Sequence, residues 1–590
     1  MFRYLEGILY LLKTIMSERQ FLYVSCVLVG ISSALAVILL KTFAHSVFRF
    51  ATYIDTLLKL PFSNSILPII GILLTVFIVK KFLDGTIEKG TSQIMIAVAK
   101  RSGFMPRKQM YAQIITSSLT VGMGGSAGLE SPITITGAAF GSNFAQNFRF
   151  NYKDRTLLLA CGVAAGIAAA FNAPIAGVLF AIEVILADMS VTAFIPLMIA
   201  SAMGSIVSGV VLKESIFLSF KEQFSYDYSN TIYYVLVGIA AGFFSVYHAR
   251  MFRRIEEFAA HLPYKNPYKK ALMGAGVLAV LIFLFPSLFG EGYESVKILA
   301  NDNAASILEN SLLKPFNDNK WVVLLFISIT AFLKCVATGL TLGSGGNGGN
   351  FAPALFAGSY LGYIIAKFIE LTGLKNLPIE NFTVVGMAAL LSGLFHAPLT
   401  AIFLIAEITG GYGLMVPLLI VSSISFAISK RYDKYSMDIF KIADKGLVFT
   451  SDKDKNLLNK IELHTVYSNK IQTLQPTNSL FDAKAIFNAT EQTFIPIVDE
   501  NNQVLGIIYE KDIRPILFND FKLRFTTIEA EMKPAQTASL SENTGNVIKL
   551  MDDHHLTELL LTKNNALVGF VSKLRILEVY RENLKNLRIE

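Results

Sequence analysis

Two glycine-rich loops in this chain of 590 residues end with the same spacing of glycine and proline. The first ends in Gly128-Leu129-Glu130-Ser131-Pro132, and the second ends in Gly349-Asn350-Phe351-Ala352-Pro353. Glycine leaves backbone N–H groups accessible, and free N–H groups at the start of a helix attract an anion. A glutamate beside such a site, here Glu130, competes with the anion when it is ionised and frees the site when it is protonated. The loops therefore predict an anion site gated by Glu130, with backbone ligands at Gly128, Leu129, Glu130, Asn350, Phe351 and Ala352.

A second shared pattern follows each loop at a similar distance. Phe171-Asn172-Ala173-Pro174 follows the first loop and Phe395-His396-Ala397-Pro398 follows the second, at proline-to-proline distances of 42 residues (132 to 174) and 45 residues (353 to 398). An apolar run then leads to Glu183 in the first half and to Glu407 in the second. Glycine-interrupted apolar segments at matching places in two halves are typical of membrane transporters that bind their substrate between the halves. The pattern therefore predicts transport of a small anion across a membrane.

The composition indicates a multi-pass membrane protein. Hydrophobic residues make up 53% of the chain and charged residues only 16%, whereas about a quarter of a soluble chain is charged. Long apolar runs recur up to about residue 430, and several reach the roughly 20 residues that span a bilayer. The net charge of +8 is explained by Lys and Arg at the ends of these runs, and no basic stripe with interleaved aromatic residues suggests nucleic-acid binding. The three cysteines are far apart in apolar surroundings, so neither a disulfide framework nor a metal site is expected.

The chain becomes soluble in character from about residue 447, where the charged segment 451–455 precedes a second internal repeat. Residues 478–517 and 540–580 each predict an amphipathic helix, a strand, a polar turn, a second strand and another helix. This repeat resembles a pair of CBS motifs, and Ile495-Pro496-Ile497-Val498-Asp499 is similar to the PVVD element of that family. We therefore expect a membrane domain over residues 1–446, with halves of about 1–225 and 226–446, and a CBS pair over 447–590, with copies of about 464–520 and 528–585.

The resemblance to CBS pairs also implies one ligand. An aspartate after the second strand of a CBS motif often contacts the ribose of an adenine nucleotide, and Asp512 stands at that place in the first copy. The second copy has Arg575 at the matching step. A regulatory module without a bound nucleotide is the interpretation that we favour, and no other cofactor is expected.

The membrane part resembles the CLC family of chloride channels and transporters. The segment GLESP at 128–132 resembles the G-K/R-E-G-P motif of that family, and GGNFAP at 348–353 resembles its G-x-F-x-P motif. With the CBS pair, the resemblance covers nearly the whole chain. It implies an all-α polytopic membrane protein of two inverted repeats of broken helices, plus a C-terminal α/β CBS pair in the cytoplasm. It also implies a homodimer with one pore per subunit and Glu130 as the gating glutamate, although Ser131 stands where the family usually has glycine.

The residue after Glu183 departs from the pattern of proton-coupled members of the family. Those members carry a second glutamate at this step, and Val184 stands there in this chain. Valine cannot relay protons, so the usual proton path is interrupted. Passive chloride conduction gated by Glu130 is therefore the leading prediction. Chloride/proton exchange is the alternative, because some exchangers also lack that acid.

The inner end of the pore departs from the family as well. The family has a serine there, and alignment without a gap puts Lys89 at that serine, whereas a shift of two residues puts Thr91 there. The pore-closing tyrosine of the family corresponds to Asp438 by counting back from the linker and to Tyr435 by residue type. Lys89 and Asp438 together would form an oppositely charged pair, which a buried place tolerates better than a lone charge.

Other functions are less well supported by the sequence. Fluoride and nitrate transporters share the CLC architecture, and the altered serine position leaves the identity of the anion open. A CBS-bearing divalent-metal transporter would need an acidic pore lining, whereas the two loops offer glycines and backbone amides. An enzyme is not expected, because the sequence contains no recognisable constellation of nucleophile and base.

Overall fold

The computed structural model of the protein divides into two compact units, Met1–Ser451 and Asp452–Glu590. The structure describes residues 11–58, 63–87, 89–186, 191–212, 225–264, 266–443, 458 and 461–589. The predicted domain boundary at 446/447 and the charged segment 451–455 lie outside these described residues.

The helices of the first unit break where the sequence has its shared motifs. One helix ends at Asn172, which adopts the left-handed conformation (φ 53°), and the next begins at Pro174, a residue that suits the first turn of a helix. His396 (φ 55°) and Pro398 interrupt the second half in the same way. The described helices of the first half are α1 (Glu18–Leu58), α2 (Leu67–Phe82), α3 (Ser92–Lys100), α4 (Gln109–Gly122), α5 (Glu130–Asn147), α6 (Tyr152–Phe171), α7 (Pro174–Phe180), continued by a π-helical turn (Ala181–Leu186), and α8 (Val191–Leu212). Those of the second half are α9 (Thr231–Ala260), α10 (Pro267–Leu284), α11 (Tyr293–Ala300), α12 (Lys320–Gly343), α13 (Phe351–Leu371), α14 (Ile379–Phe395), α15 (Pro398–Ile408), α16 (Met415–Tyr432) and α17 (Met437–Ala443).

Equivalent helices pack against each other in the two halves. Helix α5 packs on α6 as α13 packs on α14, and α6 packs on α8 as α14 packs on α16. Helix α1 likewise packs on α8 as α9 packs on α16. The predicted fold class, two repeats of broken helices followed by a small α/β region, is confirmed.

Glycines allow the central helix pairs to approach backbone to backbone. A Cβ atom added to Gly162 of α6 would lie 2.0 Å from the carbonyl oxygen of Gly137 in α5. A Cβ atom added to Gly386 of α14 would lie 2.3 Å from the carbonyl oxygen of Gly358 in α13. Close packing through small residues is the usual way in which helices associate within a bilayer.

The lengths of the helices fit a multi-pass membrane protein. Seven helices of the described residues are long and apolar enough to cross a membrane. Three shorter apolar segments, Pro174–Leu186, Ile379–Phe395 and Pro398–Ile408, come directly before or after the two breaks. These segments suit helices that end partway through the bilayer, where their free ends face other protein groups.

The second unit contains two antiparallel hairpins, as the sequence predicts. Strands β1 (Phe494–Val498) and β2 (Val504–Tyr509) pair in the first copy, and β4 (Glu558–Lys563) and β5 (Ala566–Ser572) pair in the second. Strand β3 (Thr537–Ser539) adds to β4 in parallel. The described helices of this unit are α18 (Leu463–Val466), α19 (Leu480–Ala489), α20 (Glu510–Ile513), α21 (Asp520–Phe525), α22 (Ile528–Glu531), α23 (Thr544–Asp553) and α24 (Lys573–Ile589).

Two glutamates link the broken helices α7 and α15 across the two halves. Glu183 accepts backbone N–H hydrogen bonds of 3.2 and 2.7 Å from Leu399 and Thr400, in the first turn of α15. Glu407 accepts two such bonds, of 3.0 and 2.9 Å, from the first turn of α7. Each carboxylate therefore satisfies the free N–H groups of the other half's helix and meets the positive end of its dipole.

This reciprocal capping predicts that Glu183→Gln and Glu407→Gln lower stability by similar amounts. Glutamine keeps the shape of glutamate but replaces charge-assisted hydrogen bonds with neutral ones, at a cost of roughly 1–2 kcal/mol per variant. The measurement is the unfolding temperature of the purified protein in detergent, with the exposed Glu309→Gln as the matched control. A fall for only one of the two capping variants would contradict the reciprocal role.

Candidate anion site

The two glycine-rich loops pair with each other through their backbones. Gly128 donates its N–H to the carbonyl of Gly349 at 2.9 Å, and Gly349 donates its N–H to the carbonyl of Gly128 at 2.8 Å. Helix α5 begins at Glu130 and helix α13 begins at Phe351, directly after this pair. The starts of two helices from opposite halves therefore meet in the buried centre of the unit, where their free N–H groups and dipoles favour an anion.

The side chain of Glu130 lies at this meeting point and is only 1% exposed. Its Oε2 accepts the backbone N–H of Ala352 in the first turn of α13 at 3.3 Å. Its Oε1 accepts the hydroxyl of Tyr293 at 2.5 Å. The carboxylate of Glu130 thus accepts hydrogen bonds at the place where the sequence predicts an anion site.

Aromatic rings from both halves surround Phe351, the first residue of α13. The ring centroids of Phe171 and Phe180 lie 6.0 Å from that of Phe351, and the centroid of Phe395 lies 5.5 Å away. Phe171 and Phe395 are equivalent residues of the two repeats. The rings close the space beside the paired loops with apolar surface, which strengthens electrostatic interactions there.

Asn350 presents its backbone to the site and turns its side chain away. The side-chain amide of Asn350 is within hydrogen-bonding distance of Nε2 of His248, at 3.2 Å, and of Sδ of Met437, at 3.0 Å. These contacts fix the second loop to α9 and to the start of α17.

For the inner gate, the sequence leaves two alternatives at each position, Lys89 or Thr91 and Asp438 or Tyr435, and the structure brings some of these residues together. The hydroxyl of Thr91 donates a hydrogen bond to Oδ2 of Asp438, at the start of α17. Nζ of Lys89 is half-buried and donates to the carbonyl of Leu342 in the last turn of α12, at 3.2 Å. Tyr435 is half-buried, and Nζ of Lys434 lies 5.3 Å from its ring centroid. The hydrogen bond thus links Thr91, which the shifted alignment selects, to Asp438, which counting back from the linker selects.

Val184 is 4% exposed and lies in the π-helical turn after α7. Its neighbour Glu183 is engaged at the start of α15. The position after Glu183 is therefore an apolar part of the core.

Four residues around the gate escaped the sequence analysis. Tyr293 contacts Glu130, and Glu291 contacts the neighbouring Leu129. Lys41 of α1 interacts electrostatically with Glu130 and Glu291, and Lys334 of α12 interacts with Glu291. Lys41 and Lys334 are buried and donate to backbone carbonyls, at 2.6 and 3.0 Å. An ionisable residue inside an apolar membrane helix is by default a functional candidate. The positions of both lysines within apolar runs are therefore the sequence feature that identifies them as candidates.

The nucleotide candidate Asp512 has a protein partner in the second unit. Its Oδ1 accepts a hydrogen bond from Nζ of Lys533 at 2.7 Å, and its side chain is 15% exposed. Arg575, the matching residue of the second copy, pairs with Glu578 at 3.1 Å. These ion pairs give Asp512 and Arg575 a role within the unit itself.

Comparisons with known proteins match both units. The family model for the voltage gated chloride channel matches residues 70–430, and the model for the CBS domain matches residues 463–519. A ClcB-like protein of Ralstonia nicotianae, whose name gives chloride-channel activity as provisional, is 28% identical over 345 residues, 56% of this chain and 74% of that protein. The H(+)/Cl(-) exchange transporter ClcA of Vibrio vulnificus is 30% identical over 311 residues, 51% of this chain and 62% of that protein. This chain therefore matches less than two thirds of the length of that exchanger.

A solved structure supports the same fold. The crystal structure of a slow cyanobacterial Cl-/H+ antiporter superposes with a TM-score of 0.62 at 22% sequence identity, covering 72% of this chain and 97% of the antiporter. The predicted location, a multi-pass membrane protein with its CBS region in the cytoplasm, agrees with these matches. Since the channel family model covers more than half of the chain, the protein belongs to the CLC family of voltage gated chloride channels, a family of membrane anion channels and transporters.

Proposed function

We propose that this protein transports chloride in exchange for protons, with Glu130 as both the gate and the proton acceptor. The observation that carries the proposal is the hydrogen bond from the N–H of Ala352 to the buried carboxylate of Glu130. An ionised carboxylate in that position excludes chloride. Protonation removes its charge and frees the donors, so chloride binding and proton binding are linked at one residue.

The names of related proteins favour exchange over passive conduction. The relative from Vibrio vulnificus and the cyanobacterial neighbour in structure are both named for coupled movement of chloride and protons. This support outweighs the argument from Val184 alone, because a proton path needs titratable groups or water but not a glutamate at that particular position.

Passive chloride conduction is the second candidate, and Val184 is the observation that favours it. Its side chain is apolar and buried, and Glu183 beside it already binds the start of α15. Under this alternative Glu130 opens the pore without carrying protons through it.

For the inner end of the pathway, we propose that Lys89, Thr91 and Asp438 form the gate. Two contacts support this proposal: Thr91 donates a hydrogen bond to Asp438, and Lys89 donates to Leu342 at the end of α12, just before the second glycine-rich loop. We also propose that the protein is a homodimer and that the CBS pair modulates transport without creating the pathway. The second unit supports that role because none of the seven described helices that could cross a membrane lies in it.

The first experiment measures coupling in proteoliposomes that contain the purified protein. Under a fixed chloride gradient, we expect the reversal potential to shift when only the pH gradient changes, because each chloride cycle moves protons. A reversal potential that stays at the chloride equilibrium value whatever the pH gradient would overturn exchange in favour of the passive channel.

Glu130→Gln tests the gate in the same vesicles. Glutamine cannot ionise, so we expect chloride flux that no longer depends on pH and no longer moves protons. Glu380→Gln, which changes an acid in the first turn of α14, is the matched control and should behave as the wild type. Retention of the wild-type pH dependence by Glu130→Gln would rule out the gating role.

Lys89 tests the inner gate. Its ammonium should attract anions, because a charge in a partly dehydrated pore is less screened than in water. We expect Lys89→Ser to weaken chloride binding from the inner side and Lys89→Glu to reduce flux by roughly tenfold or more, since reversing a charge near the pathway changes the energy of the ion by a few kcal/mol. Lys108→Ser, at a surface lysine paired with Asp84, is the control. Wild-type flux in Lys89→Glu would contradict the assignment.

A further inference from the structure

A cavity of about 410 Å³ opens beside the first residues of α5. Its walls include Lys41, Leu129, Glu291 and Tyr293. It lies at a different level of α12 from the proposed inner gate. Helix α12 contacts both regions. Lys334 of α12 contacts Gly290, in the loop beside the cavity, and Leu342 contacts Lys89. These two helix residues are eight positions apart, which is about 12 Å along the helix axis.

The loop from Gly290 to Tyr293 connects this cavity to the gate through successive contacts. Lys334 binds the carbonyl of Gly290 at 3.0 Å and holds the beginning of the loop. Oε1 of Glu291 accepts the backbone N–H of Leu129 at 3.1 Å, immediately before the start of α5. The hydroxyl of Tyr293 then binds Glu130 itself. Neither Glu291 nor the two lysines has a role in the proposed exchange.

The conformation of the loop depends on its glycines. Gly290 and Gly292 both have positive φ, 62° and 91°. A Cβ atom on Gly292 would lie 2.4 Å from the ring of Phe356. The backbone path on either side of Glu291 therefore requires glycine.

The charges around Glu291 balance when all groups are ionised. Glu291 interacts electrostatically with Glu130, Lys41 and Lys334, which gives two carboxylates and two ammonium groups in one partly dehydrated region. The titratable groups that face Glu291 or line its cavity are Lys41 and His45 of α1, Glu130 of α5, Tyr293 and Glu294 of α11, and Lys334 of α12.

We propose that Glu291 is a positioning residue of the gate, coupled to Glu130 so that the two carboxylates resist being ionised together, and that this coupling sets the proton concentration at which Glu130 releases the anion site. A second negative charge nearby makes it less favourable for Glu130 to stay ionised, so the gate opens at a higher pH than it would alone. The cavity gives solvent access to Glu291, which is half-buried. This inference rests on the proposed role of Glu130.

The test is the pH profile of chloride flux with the pH varied on the cavity side. Glu291→Gln keeps an oxygen that can accept the N–H of Leu129 but removes the charge. We expect its half-maximal pH to move toward acid by about one unit, because Glu130 then stays ionised to a lower pH. Glu291→Asp, which keeps the charge, should lie closer to the wild type. The matched control is Glu294→Gln, at an 87% exposed side chain of the same cavity, which should leave the profile unchanged.

Lys41→Met provides a second variant with the opposite expected sign. Removal of this ammonium should move the half-maximal pH toward alkali, and a merely structural defect would not shift the two variants in opposite directions. An unchanged profile in Glu291→Gln, or shifts of the same sign in both variants, would overturn the inference. Failure of Glu130→Gln to flatten the pH dependence would instead overturn the proposed gate, so the two failures can be told apart.

Discussion

The two hydrogen bonds between Gly128 and Gly349 set the separation of the two halves at the point where helices α5 and α13 begin. Only glycine allows this approach. A Cβ atom on Gly128 would lie 2.2 Å from Oε2 of Glu130, and one on Gly349 would lie 2.2 Å from Oγ of Ser131. Because the loops are paired, the starts of α5 and α13 are held together in a buried place, where the first N–H groups of each helix have no partner within the helix. Such groups need an acceptor, and Glu130 accepts the N–H of Ala352. This need is the physical basis of the proposed anion site.

The protein meets the same need in two ways at its two pairs of broken helices. At α7 and α15 the acceptors are Glu183 and Glu407, each supplied permanently by the opposite half. At α5 and α13 one acceptor is the side chain of Glu130, which in the proposed function leaves when it is protonated. A fixed carboxylate makes a structural joint, whereas a replaceable one would make a binding site. The difference lies in how firmly the acceptor is held, since the helix ends offer the same chemistry.

The sequence predicts what is local or repeated. The paired loops, Glu130 and the two CBS-like hairpins follow from glycine spacing and strand patterns, and the structure contains each of them. The cluster around the gate does not follow in this way, because Lys41, Glu291 and Lys334 come from three distant segments that only the folded chain brings together. The inner gate was ambiguous for a related reason. Spacing gave two pairs of candidates, and the contact between Thr91 and Asp438 takes one member from each.

Exchange requires protons to reach Glu130 from both sides of the membrane, and the two sides of the gate differ in what they offer. On the cavity side, Glu291 and Tyr293 lie within one loop that touches the gate helix. On the inner side, the position after Glu183 is occupied by the buried Val184. Under the proposed exchange, a proton that arrives from the inner side would therefore travel through water in the anion pathway. Proton movement would then depend on the hydration of the same passage that chloride uses, and the separation of Thr91 and Asp438 at the proposed inner gate would set the coupling.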